Sequence, residues 1–132
     1  MAIAANPIAS LHHSRIVYRR FAVVAMYVIA ACLAAMQSAA LNGGMLGILG
    51  ALGLSTSATM WFWIDSHLRS RPHPWSLQFV FFLTWPLASL VYLLASRGGV
   101  RGLGYWMLHA IGLGVTVAFA SVIGMLVMML VP

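Results

Sequence analysis

Residues 75–96 read WSLQFVFFLTWPLASLVYLLAS, twenty-two positions without a charge, and the ten residues before them read DSHLRSRPHP (65–74). The apolar stretch is long enough for a helix across a bilayer, which needs about 20 such residues. It is broken near its middle by Trp85-Pro86. About eleven residues precede Pro86, which as helix reach roughly 16 Å, half the hydrocarbon thickness. How the chain deals with this break decides how many times it crosses the membrane.

Working outward, the same composition holds along the chain. Of 132 residues, 63% are apolar and 6% charged. A soluble domain carries about a quarter charged residues, so this chain cannot cover a globule with a solvated surface. The apolar residues fall in long runs at 21–41, 45–64, 75–96 and 103–131. We therefore expect an all-α membrane protein with four apolar helical segments, the third kinked or re-entrant at Pro86, and a single integral membrane domain over 1–132. Residues 1–20, mildly polar and ending in Arg15, Arg19 and Arg20, are expected as a cytoplasmic loop or interfacial helix. The run after them is expected as an uncleaved signal anchor. Asn42-Gly43-Gly44 suits a tight turn, and Trp61-Phe62-Trp63 and Tyr105-Trp106 suit the membrane interface.

The charge is one-sided: Lys and Arg total seven against one acidic residue. A basic chain can bind nucleic acid, but these arginines sit at the ends of apolar runs. Topology and lipid headgroups explain them better, so membrane lipids and other integral membrane subunits are the expected partners, and nucleic acid is not. Arginines favour the cytoplasmic side, which puts the N-terminus inside a bacterial inner membrane, together with Arg69 and Arg71. If residues 75–96 cross, Arg97 and Arg101 fall outside. The plainer reading accepts this and takes a proline-kinked crossing helix. A hairpin that enters and returns is the alternative. It keeps every arginine inside but needs protein to bury its broken backbone.

Few residues offer chemistry. Asp65, the sole acid, sits near the C-terminal end of the second segment, where the helix macrodipole disfavours it. It needs a cationic partner, and a structural ion pair with Arg69 and Arg71 is expected, with Arg97 also within reach. His109, one turn into the last segment, is the candidate cofactor residue. An imidazole there can ligate haem or bacteriochlorophyll, or simply hydrogen-bond between helices; lipid or quinone contact is a further possibility. His67 and His73 lack a Cys or Glu to complete a metal site, and Cys32 has no partner for a disulfide. No nucleophile set, metal motif or phosphate loop is present, so no catalytic activity is expected.

Small residues recur at helical spacing. Gly47, Gly50 and Gly53 mark one face of the second helix, and Gly114 and Ala118 one face of the last, beside a second stripe of Gly112, Thr116, Ala120 and Gly124. Such residues let helix backbones approach closely, either within the chain or against a partner.

The pattern Asp65-x3-Arg69-x-Arg71, Trp85-Pro86, Tyr92-Leu93 and Arg97-Gly98, within residues 61–104, resembles a family of small uncharacterised bacterial inner-membrane proteins. The resemblance implies that the polar link and the Trp85-Pro86 break form one structural unit. The resemblance implies no activity. Because no catalytic set is visible and several helix faces suit docking, we expect a non-catalytic accessory or assembly subunit of a larger inner-membrane complex, respiratory or photosynthetic. The alternatives are a small homo-oligomeric channel or carrier, and a haem- or chlorophyll-binding protein using His109.

Overall fold

The computed structural model describes residues 7–39, 43–70 and 73–130. It consists of four helices: α1 (Pro7–Ser38), α2 (Gly43–Leu68), α3 (Trp75–Arg97) and α4 (Gly99–Leu130). All four are long and apolar enough to cross a membrane, and the protein is a multi-pass membrane protein of all-α class. Of the expected turn Asn42-Gly43-Gly44, Gly43 and Gly44 instead begin α2, and Asn42, like the expected ion-pair partner Arg71, lies outside the described residues. The polar N-terminal segment is helical from Pro7 and runs without a break into the first apolar segment. Its arginines thus stand on the same rod as the membrane segment.

The helices close into a ring in which each packs on two neighbours, α1 on α2, α2 on α3, α3 on α4 and α4 on α1. Glycines set two of these contacts. A methyl group at Gly53 would lie 3.4 Å from the Ile29 side chain, and one at Gly50 would collide with Leu33. The pairs Ile29–Gly53 and Leu33–Gly50 run in opposite senses, so α2 returns antiparallel to α1. Across α1 and α4 the sense is the same: Tyr27 meets His109 and Gly112, and Ala35 meets Gly124. These two helices are parallel.

That parallel pair constrains α3. α2 ends beside the arginine-rich start of α1, and α4 begins at that same end. The chain between them must therefore return to where it started. It does so by breaking at Thr84, whose backbone angles (φ −122°, ψ 25°) are not helical. The break lies two residues before Pro86, whose ring displaces the carbonyl four residues earlier and which has no N–H to donate. Residues 75–83 and 85–97 form two arms of a hairpin. A straight helix would put Trp75 and Tyr92 about 26 Å apart. Instead the ring of His73, two residues before Trp75, lies 6.2 Å from that of Tyr92. Phe62 of α2 stacks on Phe81 of the first arm at 4.3 Å and meets Tyr92 of the second edge to face at 4.8 Å. The plainer expectation, a kinked helix crossing from one side to the other, does not fit these contacts. The fold-back does.

The second arm then hands over to α4 through Gly98, whose φ of +82° suits a residue without a side chain. Gly102 lies so close to the Leu93 carbonyl that no Cβ fits between them. This approach locks α4 antiparallel to the second arm. Deeper along the same seam, the indole N–H of Trp106 donates to the Pro86 carbonyl at 3.2 Å. Ser89 also donates to that oxygen, at 2.9 Å, and the Thr84 hydroxyl donates to the Val80 carbonyl at 2.8 Å. Side chains thus supply donors to carbonyls around the turn.

Candidate functional site

Asp65 is the centre of the polar end of the bundle. It is fully buried, and a lone carboxylate so placed would carry a large desolvation cost. Four groups meet it. Arg69, one helical turn on, places Nε 2.9 Å from Oδ2; Arg19 of α1 places Nη1 3.0 Å from Oδ1; Arg97 at the end of α3 places Nη2 3.5 Å from Oδ1. The Tyr92 hydroxyl donates to Oδ2 at 2.9 Å. Charged hydrogen bonds of this kind are the strong ones. Arg69 also donates to the Ser96 carbonyl at 3.3 Å, tying the end of α2 to the end of α3.

The sequence places Asp65 with Arg69, and the structure joins them; Arg97, within reach by sequence, is joined as well. Arg19 and Tyr92 are not assigned to Asp65 by the sequence. Arg19 stands 46 residues from Asp65, and only the antiparallel packing of α1 on α2 brings it there. Tyr92 arrives through the hairpin. The signal for Tyr92 is the fold-back reading, which returns the end of α3 to the end of α2; Arg19 has none.

His109 lies on the face of α4 turned toward α1. Its Nδ1 is 3.2 Å from the Tyr27 hydroxyl, which also approaches the His109 carbonyl at 3.4 Å. This is an interhelical hydrogen bond, the plainer of the two roles expected for His109. The same tyrosine explains Gly112, since a methyl group there would stand 2.6 Å from its oxygen. Among the described residues, no three His, Cys, Asp or Glu side chains gather in a way that would hold a metal ion. His73 instead stacks on Phe62, with ring centroids 5.4 Å apart.

The centre of the ring is not filled. A cavity of about 200 Å³ lies between all four helices, lined by Met26, Trp61, Phe81, Trp85, Trp106 and His109 among others. A second hollow of about 430 Å³ adjoins it at the arginine end, lined by Arg19, Arg20, Arg97, Tyr105 and His109. Trp61, Leu93 and His109 line both. Arg97 lies over the Tyr105 ring, 4.4 Å from its centroid, a cation–π contact.

The small-residue stripes separate cleanly. Gly50 and Gly53 face α1, and Gly47 comes within 3.9 Å of Gln37. On α4, Ala120 and Gly124 are buried against α1, whereas Gly114 and Ala118 are exposed and a methyl at Gly114 would meet nothing within 4 Å. Of the two readings open for Gly114 and Ala118, packing within the chain or against a partner, the first is not used here: that face of α4 points away from the bundle.

The chain matches no family model, no curated protein and no solved structure.

Proposed function

We propose that this protein is a non-catalytic accessory or assembly subunit of a larger complex in a bacterial inner membrane. Three helices, α1, α2 and α4, cross the bilayer, and α3 enters and returns. The N-terminus lies on the cytoplasmic side, because this arrangement puts Arg15, Arg19, Arg20, Arg69, Arg97 and Arg101 together, as the distribution of Lys and Arg in cytoplasmic segments favours.

The observation that carries this reading is the exposure of the hairpin turn. Thr84 and Pro86 are both exposed, Thr84 toward the hollow between the two arms and Pro86 at the rim of the central cavity. By the length of the arms the turn sits about halfway into the hydrocarbon. Irregular backbone at that depth is tolerated where protein covers it. Beside it, Phe79, Leu83, Leu87 and Val91 are more than half exposed. The outward stripe of Gly114 and Ala118 offers another helix a close approach. A covering partner accounts for both surfaces.

A carrier is less well supported. Proton-coupled carriers use ionisable groups at membrane depth, and the one acid of this chain is held by three arginines and a tyrosine. A respiratory or photosynthetic host fits the subunit reading, with pigment or quinone contact belonging to the host.

The test is gentle solubilisation from the native membrane, followed by native electrophoresis and mass spectrometry of the separated band. A stoichiometric assembly with other integral membrane chains supports the subunit reading. A homo-oligomer with no other chain overturns it in favour of the channel or carrier.

A further inference from the structure

One carboxylate meets three guanidinium groups at the arginine end, so the cluster around Asp65 retains positive charge. Arg20, exposed on α1, adds to it and makes none of the ion pairs with Asp65. The buried Nε of Arg97 has no hydrogen-bond partner among the described residues. Buried donors are nearly always paired, and Arg97 borders the hollow. Immediately inside lies the apolar cavity of about 200 Å³, somewhat larger than a cavity of about 150 Å³ that holds a benzene ring. An anion-attracting mouth thus opens onto an apolar, aromatic chamber.

We propose that this paired hollow binds one acid-headed amphiphile of the membrane. The acidic head sits against Arg19, Arg20 and Arg97, and the first part of its apolar body enters the chamber between Trp61, Trp85 and Trp106. The head is a carboxylate or a phosphate. A zwitterionic lipid is a poor occupant, because its own cation faces the arginines. This site is independent of which complex the protein joins.

Tryptophan quenching tests it with the full chain in detergent micelles. Trp63 and Trp75, exposed outside the chamber, are replaced by phenylalanine so that the signal comes from the three chamber indoles. Three brominated probes are titrated: a fatty acid, phosphatidylglycerol and phosphatidylcholine. The expected result is saturable quenching, near one probe per protein, by an acidic probe and not by phosphatidylcholine. Quenching by the fatty acid alone identifies a carboxylate head, and quenching by phosphatidylglycerol a lipid phosphate. Arg20→Gln is expected to weaken acidic-probe binding about fivefold, the effect of one cation near an anionic headgroup. Ala58→Leu, which projects into the chamber, is expected to lower the maximal quenching. Circular dichroism confirms that both variants keep their helices. Equal quenching by all three probes, or unchanged acidic-probe binding in both variants, overturns the proposal.

Discussion

The rings of His73 and Tyr92 meet edge to face, 6.2 Å apart and 85° between planes, although most of α3 lies between the two residues. His73 precedes the first arm and Tyr92 lies in the second. Their contact fixes the two ends of α3 at one end of the bundle, and with them Arg97 beside Asp65.

The first prediction concerns topology. Val100, at the start of α4, is highly exposed, and α4 runs parallel to α1. In a Cys32→Ser background, Val100→Cys is expected to react with an impermeant thiol reagent from the same side of the membrane as His13→Cys. Labelling of these two positions from opposite sides would mean that α3 crosses, and would remove the hairpin.

The second concerns the buried acid. Asp65→Ala leaves three arginines facing each other with no counter-charge. Breaking a buried ion pair by removing one partner costs about 3–5 kcal/mol. The two outer arginines remain about a third exposed, so the lower end of that range is expected. Tyr92→Phe removes one hydrogen bond to a charged group, a loss of about 1.5–3 kcal/mol. Unfolding in a mixed-detergent titration measures both. A value for Asp65→Ala within error of the unsubstituted protein would show that the cluster is not a structural clip.

Much of this architecture was legible in the sequence, and the reasons are local. Long uncharged runs fix helices in lipid, and Trp85-Pro86 marks a break wherever the chain goes. The arginine distribution argues for a return at that break, since a crossing strands Arg97 and Arg101, but the plainer reading of the sequence is still a kinked crossing helix. What the sequence did not yield was the meeting of distant side chains. Arg19 with Asp65, and Tyr27 with His109, depend on the order and direction of packed helices. No spacing along the chain carries that information. The two small-residue stripes of α4 are equally good packing faces by sequence, and only the position of α1 decides which one is used inside.

The third prediction uses the seam between the second arm and α4. Gly102 has no room for a Cβ against the Leu93 carbonyl. Backbone, unlike a flexible side chain, has little freedom to give way. Gly102→Ala is expected to destabilise by about 1–3 kcal/mol, the range for overpacking. Gly104→Ala, two residues away where a methyl meets nothing, is the control and is expected to stabilise slightly, by up to about 1 kcal/mol from helix propensity. Equal stabilities for the two variants would show that the hairpin does not press on α4.

The last prediction separates folding from assembly. Gly114 and Ala118 lie on the outward face of α4, where a methyl at Gly114 has open space around it. Replacing both with leucine removes nothing from the bundle, and leucine is a better helix former than glycine by about 0.8 kcal/mol or more. The isolated protein is therefore expected to be as stable as before. A docked helix, by contrast, comes close only where side chains are small, so the double variant is expected to be missing from the native assembly. Gly124→Leu gives the reverse pattern. It drives a side chain into the Ala35 backbone, so the fold itself is lost before assembly can be measured. Native electrophoresis of membranes carrying each variant, with unfolding titrations of the purified chains, distinguishes the two. Intact assembly of the Gly114/Ala118 double variant would show that this face of α4 meets lipid, leaving the hairpin turn as the docking surface.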